Sequence, residues 1–277
     1  MSNVYLNGEW LPIEKAQVSV LDRGFIFGDG VYEVIPVYNR KAFALTAHLK
    51  RLERSLAGIR LSPPLQDNQW QLIIEQLVKE ADTDNSSIYL QITRGVAPRD
   101  HAFPLNTPAT VFAMAKPMAP VPEAWLQQGI KVVTHEDDRW LHCDLKTTAL
   151  LANVLLRQYA VDKQAVECLL IREGCVTEGA ASNIIVVHQG EVLFPPRNNL
   201  ILPGITYDLI IDLVTQAGIP FRETTVTREQ LANASEVMMT SSTREIVPIT
   251  DIDGKKVGTG LPGPMFKQLL SLYQSLK

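Results

Sequence analysis

The stretch Arg139–Gln158, RWLHCDLKTTALLANVLLRQ, decides how the rest of the chain is read. Leu150, Leu151, Val154 and Leu155 recur at helical spacing, which predicts a helix with one buried face. Lys146 stands at the mouth of that helix, beside the predicted core and able to face a cavity. Desolvation in such a place disfavours the ammonium and lowers a lysine pKa. A neutral amine is what Schiff-base chemistry with an aldehyde cofactor requires. Most lysines are simply solvated, so this reading of Lys146 depends on what the rest of the chain supplies.

Composition bounds the answer. At 277 residues there is room for two domains, on a soft scale of about 150 residues each. Hydrophobic residues make up 46% and charged residues 20%, enough apolar sequence for an ordinary buried core. The formal net charge of -4 gives no basic field for nucleic acid, and no like-charge run marks a membrane-surface patch. Cys143, Cys168 and Cys175 form no C-x-x-C pair, and three is a poor number for a disulfide framework, so reduced thiols in a cytoplasmic protein are expected. MSNVYLNGEW lacks the basic and apolar segments of a signal peptide, and no apolar run reaches the ~20 residues of a membrane helix. Five histidines are scattered without ligand spacing, so no metal site is expected.

Along the chain, Val4–Leu11 reads as a hairpin closed by Asn7-Gly8. VYEVIPVYN reads as a strand with Tyr32, Val34 and Pro36 on one face and Glu33, Ile35 and Val37 on the other. Thr46 opens a helix with the stripe Leu49, Leu52, Leu56 and Ile59, and His48 and Arg51 are neighbours on its flank. Trp70–Ala81 is a second amphipathic helix, Ser87–Arg94 a half-buried strand, and residues 95–108 a loop before a strand at Thr110–Ala115. PMAPVP (117–122) continues neither helix nor central strand, which places a boundary between domains 1–120 and 121–277. The second part predicts strands at 130–134, 167–172, 183–188, 191–194 and 236–240, and helices at 206–216 and 264–276. Helices and strands alternate irregularly, the pattern of an α+β (mixed α/β) protein rather than a doubly wound sheet.

Several groups can carry chemistry, though each alone has an ordinary structural explanation. Thr206 is a candidate N-cap, and Gly204 before it lets a ligand approach helix amides that favour phosphate. Arg51 matches phosphate geometry. Ser241, Ser242 and Thr243 follow a buried strand and can donate to phosphate oxygens. Glu178, in CVTEGAASNIIVV, sits between a strand and a small-residue turn, where a carboxylate can pair with a protonated ring nitrogen. Arg99 and His101 alternate in an extended segment and so point the same way, an arrangement suited to a carboxylate ligand. Dinucleotide, P-loop and nucleophile-elbow motifs are missing from the sequence.

Taken in order, LDRGFIFGDGVYEV, HLKRL, TRGVAPRDHAFP, RWLHCDLKTT, VTEGAASNI, LPGIT and MTSSTREIVP resemble the class IV, or fold-type IV, pyridoxal-phosphate aminotransferases from end to end. Within them the chain is most similar to the D-amino acid aminotransferases. The resemblance implies a smaller N-terminal α/β domain and a larger, β-barrel-like C-terminal domain that binds the cofactor. It implies that Lys146 holds pyridoxal 5'-phosphate as a Schiff base and shuttles the proton. Glu178 would meet the pyridinium nitrogen. Arg51, the amides of Ile205 and Thr206, and hydroxyls of Ser241, Ser242 and Thr243 would hold the phosphate. Tyr32 would face cofactor and substrate, and Arg99 and His101 would grip the substrate carboxylate. It further implies a ping-pong exchange of D-alanine and 2-oxoglutarate for pyruvate and D-glutamate, in a homodimer whose Arg99–His101 loop reaches the neighbouring site. Branched-chain L-amino acid aminotransferase, aminodeoxychorismate lyase and (R)-amine transaminase activities share the resemblance, although the first is expected to lack the R-x-H pair. His142, Arg244 and residues 96–100 leave substrate breadth open.

Overall fold

The computed structural model describes residues 3–277. One compact unit runs to Ala119 and also takes in Leu145–Leu150, and the other holds Pro120–Asp144 and Leu151–Lys277. Lys146 therefore belongs to the first unit, not to a cofactor domain beginning at residue 121.

The first unit contains β1 (Asn3–Leu6), β2 (Glu9–Pro12), α1 (Arg23–Phe27), β3 (Gly30–Tyr38), β4 (Lys41–Ala42), α2 (Leu45–Gly58), α3 (Asp67–Glu80), β5 (Ser86–Thr93) and β6 (Thr110–Pro117). Its strands form one sheet in the order β2-β1-β6-β5-β3-β4, and the pairs are antiparallel. Strand alternation sends Ile35 and Val37 of β3 and Ile88, Leu90 and Ile92 of β5 into one core with Leu49, Leu52 and Leu56 of α2 and Trp70, Ile74 and Leu77 of α3. Glu33 shares that buried face, while Tyr32 and Val34 are only half-buried. Thr46 does not cap α2, because the helix starts one residue earlier from Ala44 in a left-handed conformation.

The second unit contains α4 (Glu123–Gln128), β7 (Ile130–Glu136), α5 (Leu151–Asp162), β8 (Glu167–Arg172), β9 (Cys175–Gly179), β10 (Asn183–His188), β11 (Glu191–Phe194), α6 (Ile205–Gln216), β12 (Phe221–Glu223), β13 (Val226–Thr227), α7 (Arg228–Ala232), β14 (Glu236–Ser241), β15 (Glu245–Ile252), β16 (Lys255–Lys256) and α8 (Pro264–Gln274). Its sheet runs β12-β11-β10-β14-β15-β7-β8-β9-β13, with β16 paired to β15. The outermost strands, β12 and β13, are separated in sequence by Thr224 and Thr225 alone. A link that short spans only about 10 Å, so the two edges are neighbours and the sheet must curl into a barrel-like form.

Two local expectations fail for physical reasons. The face of α5 expected to be buried is solvent-facing: Leu151, Val154 and Leu155 are 73%, 59% and 62% exposed. Leu156 and Ala160 are the buried positions, packed on Cys168, Leu170 and Ala180. Spacing shows that a helix has an apolar face, but not what covers it. Glu178 is the penultimate residue of β9, just before the small-residue turn at 180–182, where the sequence set it at the end of a strand. Thr206 is inside α6 and buried, and Gly204 is the N-cap without a side-chain bond.

Candidate active-site residues in each unit

Lys146 is held by the first unit as an added piece of extended chain. Tyr32 N–H of β3 donates to Lys146 O (3.0 Å), Thr148 N–H donates to Gly30 O (2.9 Å), and Val31 and Thr147 form an antiparallel bridge. Lys146 N–H donates to Ser55 Oγ of α2 at 3.2 Å. These bonds place Lys146 Nζ 4.2 Å from the centroid of the Tyr32 ring. The sequence-predicted amine and aromatic side chain are thus together.

Arg51 is almost fully buried, and its Nε and Nη2 donate to Glu33 Oε1 and Oε2 at 2.7 and 2.8 Å. His48 Nδ1 lies 2.8 Å from Glu33 Oε2. Burial alone would raise the Glu33 pKa, but the charge and hydrogen bonds of Arg51, with His48, hold it well below the usual carboxylate range. Burial likewise lowers the His48 pKa, against the pull of Glu33. Glu33 was not among the predicted site residues. Its signal was a carboxylate on the apolar face of the VYEVIPVYN strand.

Arg99 and His101 are exposed, and both rest against Phe27 of α1. The Arg99 guanidinium is 5.4 Å from the Phe27 ring centroid, and the His101 ring centroid is 5.4 Å away. The two side chains therefore converge on one ring, although the segment is bent at Arg99 and His101 rather than extended.

In the second unit Asn183 ties the predicted groups to one another. Its Nδ2 donates to Glu178 Oε2 (3.2 Å) and to Leu202 O (2.7 Å), while Leu202 N–H donates to Glu178 Oε2 at 3.0 Å. In the sheet Asn183 pairs with Thr240, next to Ser241. A Cβ at Gly204 would run into Asn183 Oδ1, so the backbone before α6 stays bare. Asp208 N–H makes the first helical bond, to Gly204 O, so the preceding amides of Ile205 and Thr206 point out of the helix end, where anions bind. Ser241 ends β14 and accepts from Arg244 N–H (3.2 Å), with Ser242 and Thr243 in the turn between. Thr240 Oγ1 is a buried hydroxyl without a hydrogen-bond partner among the described residues.

Behind Glu178 lies a second network. Arg139 Nη1 donates to Glu178 Oε1 (2.7 Å), while its Nε and Nη2 donate to the two oxygens of Asp137 at 2.9 Å each. Thr177 and Arg172 also reach Asp137. Burial pushes the Glu178 pKa up to about 7, with Arg139 and the Leu202 amide pulling the other way. For Asp137 burial is outweighed by Arg139, Thr177 and Arg172, and its pKa falls to about 2. Arg139, Asp137 and Asn183 were missed, although RWLHCDLKTT and VTEGAASNI contain two of them.

Each unit by itself offers part of what a phosphorylated pyridine aldehyde needs: the first an amine beside an aromatic ring, the second a buried carboxylate with a pKa of about 7 and the unbonded amides at the start of α6. Among the described residues, no group of three or more His, Cys, Asp or Glu could hold a metal ion, and no helix is long and apolar enough to cross a membrane.

Residues 30–252 match the family model for amino-transferase class IV. The D-alanine aminotransferase of Staphylococcus haemolyticus is 42% identical over 270 residues, 97% of this chain and 95% of the relative. That of Bacillus licheniformis is 39% identical over 272 residues, 98% and 96% of the two chains. Among solved structures, the Escherichia coli branched-chain amino acid aminotransferase matches with a TM-score of 0.93 at 26% identity, covering 99% of this chain and 94% of that one. The T.th. branched-chain amino acid aminotransferase with pyridoxamine 5'-phosphate gives 0.91 at 27% identity, covering 99% and 93%.

Proposed function

The chain belongs to the class IV aminotransferases, and on that premise we propose that it transfers the amino group of D-amino acids, D-alanine first, to 2-oxoglutarate with pyridoxal 5'-phosphate. The observation that carries the D-specific reading is the pairing of Arg99 and His101 on Phe27, two donors presented together on one loop. The D-alanine aminotransferase relatives support it at 39–42% identity, against 26–27% for the branched-chain structures.

When bound, the cofactor supplies the electron sink for the substrate carbanion. Lys146 supplies the amine that anchors it and then carries the proton at the substrate α-carbon. The Tyr32 ring limits where Nζ can travel. Glu178 would accept the ring N–H in a charge-assisted bond, while Asn183 and the Leu202 amide keep its second oxygen in place. Arg51, turned by Glu33, would contribute to holding the phosphate, as would the Ile205 and Thr206 amides and the hydroxyls of Ser241, Ser242 and Thr243. Arg99 and His101 would take the substrate carboxylate. The same reading makes the protein a cytoplasmic homodimer acting on amino acids and 2-oxo acids, and the uncovered apolar side of α5 supports a second copy.

A paired assay of D- and L-alanine with 2-oxoglutarate tests this. Pyruvate should form from D-alanine, and product from L-alanine only would overturn the reading in favour of a branched-chain enzyme. In parallel, Lys146→Ala should abolish cofactor trapping by borohydride. A variant that still traps it would remove Lys146 from its role.

A further inference from the structure

The loop that carries Arg99 and His101 is exposed in its side chains but gripped along its backbone. Its neck is closed at Gly95, whose φ of +93° and contact with Pro108 O admit only glycine. Arg23 N–H donates to Gly95 O at 2.9 Å, and Asp22 accepts from Thr93 and Thr110 on the two strands that flank the loop. The tip is held by the Arg23 side chain. Its Nη1 donates to Asp100 O (2.5 Å) and Ala102 O (3.3 Å), and its Nη2 reaches His101 O at 3.5 Å. Arg23 is only 4% exposed, and its remaining nitrogen, Nε, donates to Asp29 Oδ2 at 2.8 Å.

Asp29 is shared. Arg94 Nε and Nη2 donate to its two oxygens at 2.8 and 3.0 Å, and the Arg94 guanidinium stacks 3.7 Å from the Phe103 ring centroid. One carboxylate thus fixes two guanidiniums, one on carbonyls 100–102 and the other on Phe103. Burial would raise the Asp29 pKa, but the bonds from Arg94 and Arg23 outweigh it and lower it. Phe27 stands one helical turn after Arg23, so the two share a face of α1. Arg23 lies 4.8 Å from its ring centroid, on the same ring that Arg99 and His101 approach.

We infer that Arg23 is the positioning residue of the substrate-carboxylate grip: it pins the carbonyls on either side of His101 and so sets the directions of the Arg99 and His101 side chains. The inference rests on the carboxylate role of that pair. The chemistry demands arginine, because one planar fork must meet Asp29 and a row of carbonyls at once, and a lysine ammonium has neither the span nor the number of donors.

Arg23→Lys in the holoenzyme tests it. KM for D-alanine and the inhibition constant of propionate, a carboxylate that cannot donate an amino group, should each rise by about tenfold, because small misplacement of a binding group is costly. The kcat and the cofactor absorption should stay within about twofold, and amide exchange across residues 99–103 should accelerate, since these bonds limit local opening. Unchanged KM and inhibition constant would overturn the inference. So would a rise in KM accompanied by a comparable loss of kcat and of cofactor content, the mark of a merely structural arginine. Arg99→Ala separates the two levels. If it leaves propionate inhibition intact, the carboxylate reading itself fails. If it weakens inhibition while Arg23→Lys does not, only the role of Arg23 fails. Should Arg23→Lys not fold, exchange in the unaltered enzyme decides. Amides 99–103 already slow without propionate, and protected less than about twofold further with it, support a preset loop; strong further protection refutes it.

Discussion

Two buried glutamates, one in each unit, meet arginine and are shifted in opposite directions. Glu33 takes two nitrogens of Arg51 at 2.7 and 2.8 Å and His48 besides, and stays ionised. Glu178 takes one nitrogen of Arg139, because the Nε and Nη2 of that arginine are turned to Asp137. Its pKa climbs to about 7. The presence of a cation does not decide the charge state of a buried acid. What decides it is how many of the cation's donors the acid receives and how many a competing acid removes. A carboxylate kept near neutrality suits a partner that brings its own proton, as a pyridinium does.

Breaking the stronger cluster should cost most. Glu33→Ala removes the buried carboxylate that Arg51 and His48 share, and destabilisation by about 3–5 kcal/mol is expected in urea denaturation. A loss below about 1 kcal/mol would show that water reaches the cluster and that the contrast is overstated. Next comes Asp137, whose pKa is lowered from 3.8 to about 2. A depressed acid contributes stability that is present above 3.8 and lost as pH falls through 2, worth about 2 kcal/mol here. Asp137→Asn should flatten that acid limb, and it should lower the Glu178 pKa by returning Arg139 donors to it. The smallest stability change belongs to Glu178→Gln, within about 1 kcal/mol at pH 7. Its sign is opposite: a folded pKa of about 7 against 4.5 gives stability complete below 4.5 and lost as pH rises through 7. Denaturation of the cofactor-free protein from pH 4 to 8 should show that slope in the parent and not in the variant. The loaded variant should keep its cofactor while single-turnover proton transfer slows, and unchanged turnover would detach Glu178 from the ring nitrogen.

Much of the first unit was legible because its signals are local. Alternation in residues 31–37 and 87–94 fixed which side chains enter the core. What escaped was pairing across sequence. Glu33 with Arg51, Arg139 with Glu178, and Arg23 with residues 100–102 are contacts between segments, and no periodicity encodes them. The α5 face was misread for a related reason. Leu151, Val154 and Leu155 look like core by spacing, yet burial depends on a neighbour that spacing cannot name. Thr206 looked like a cap because threonine caps helices well, but Gly204 precedes it where a side chain would strike Asn183.

The return of Leu145–Leu150 to the first unit sets an order of events during synthesis. A growing chain that has emerged only as far as Ala119 already contains the six strands of the first sheet, but it lacks the segment that lays its amine along β3. Lys146 arrives late, after a detour of 25 residues through the second unit. A nascent fragment ending at residue 119 should therefore bury its sheet without that lysine, and under the role proposed for Lys146 covalent capture of the coenzyme begins only once translation has passed residue 150.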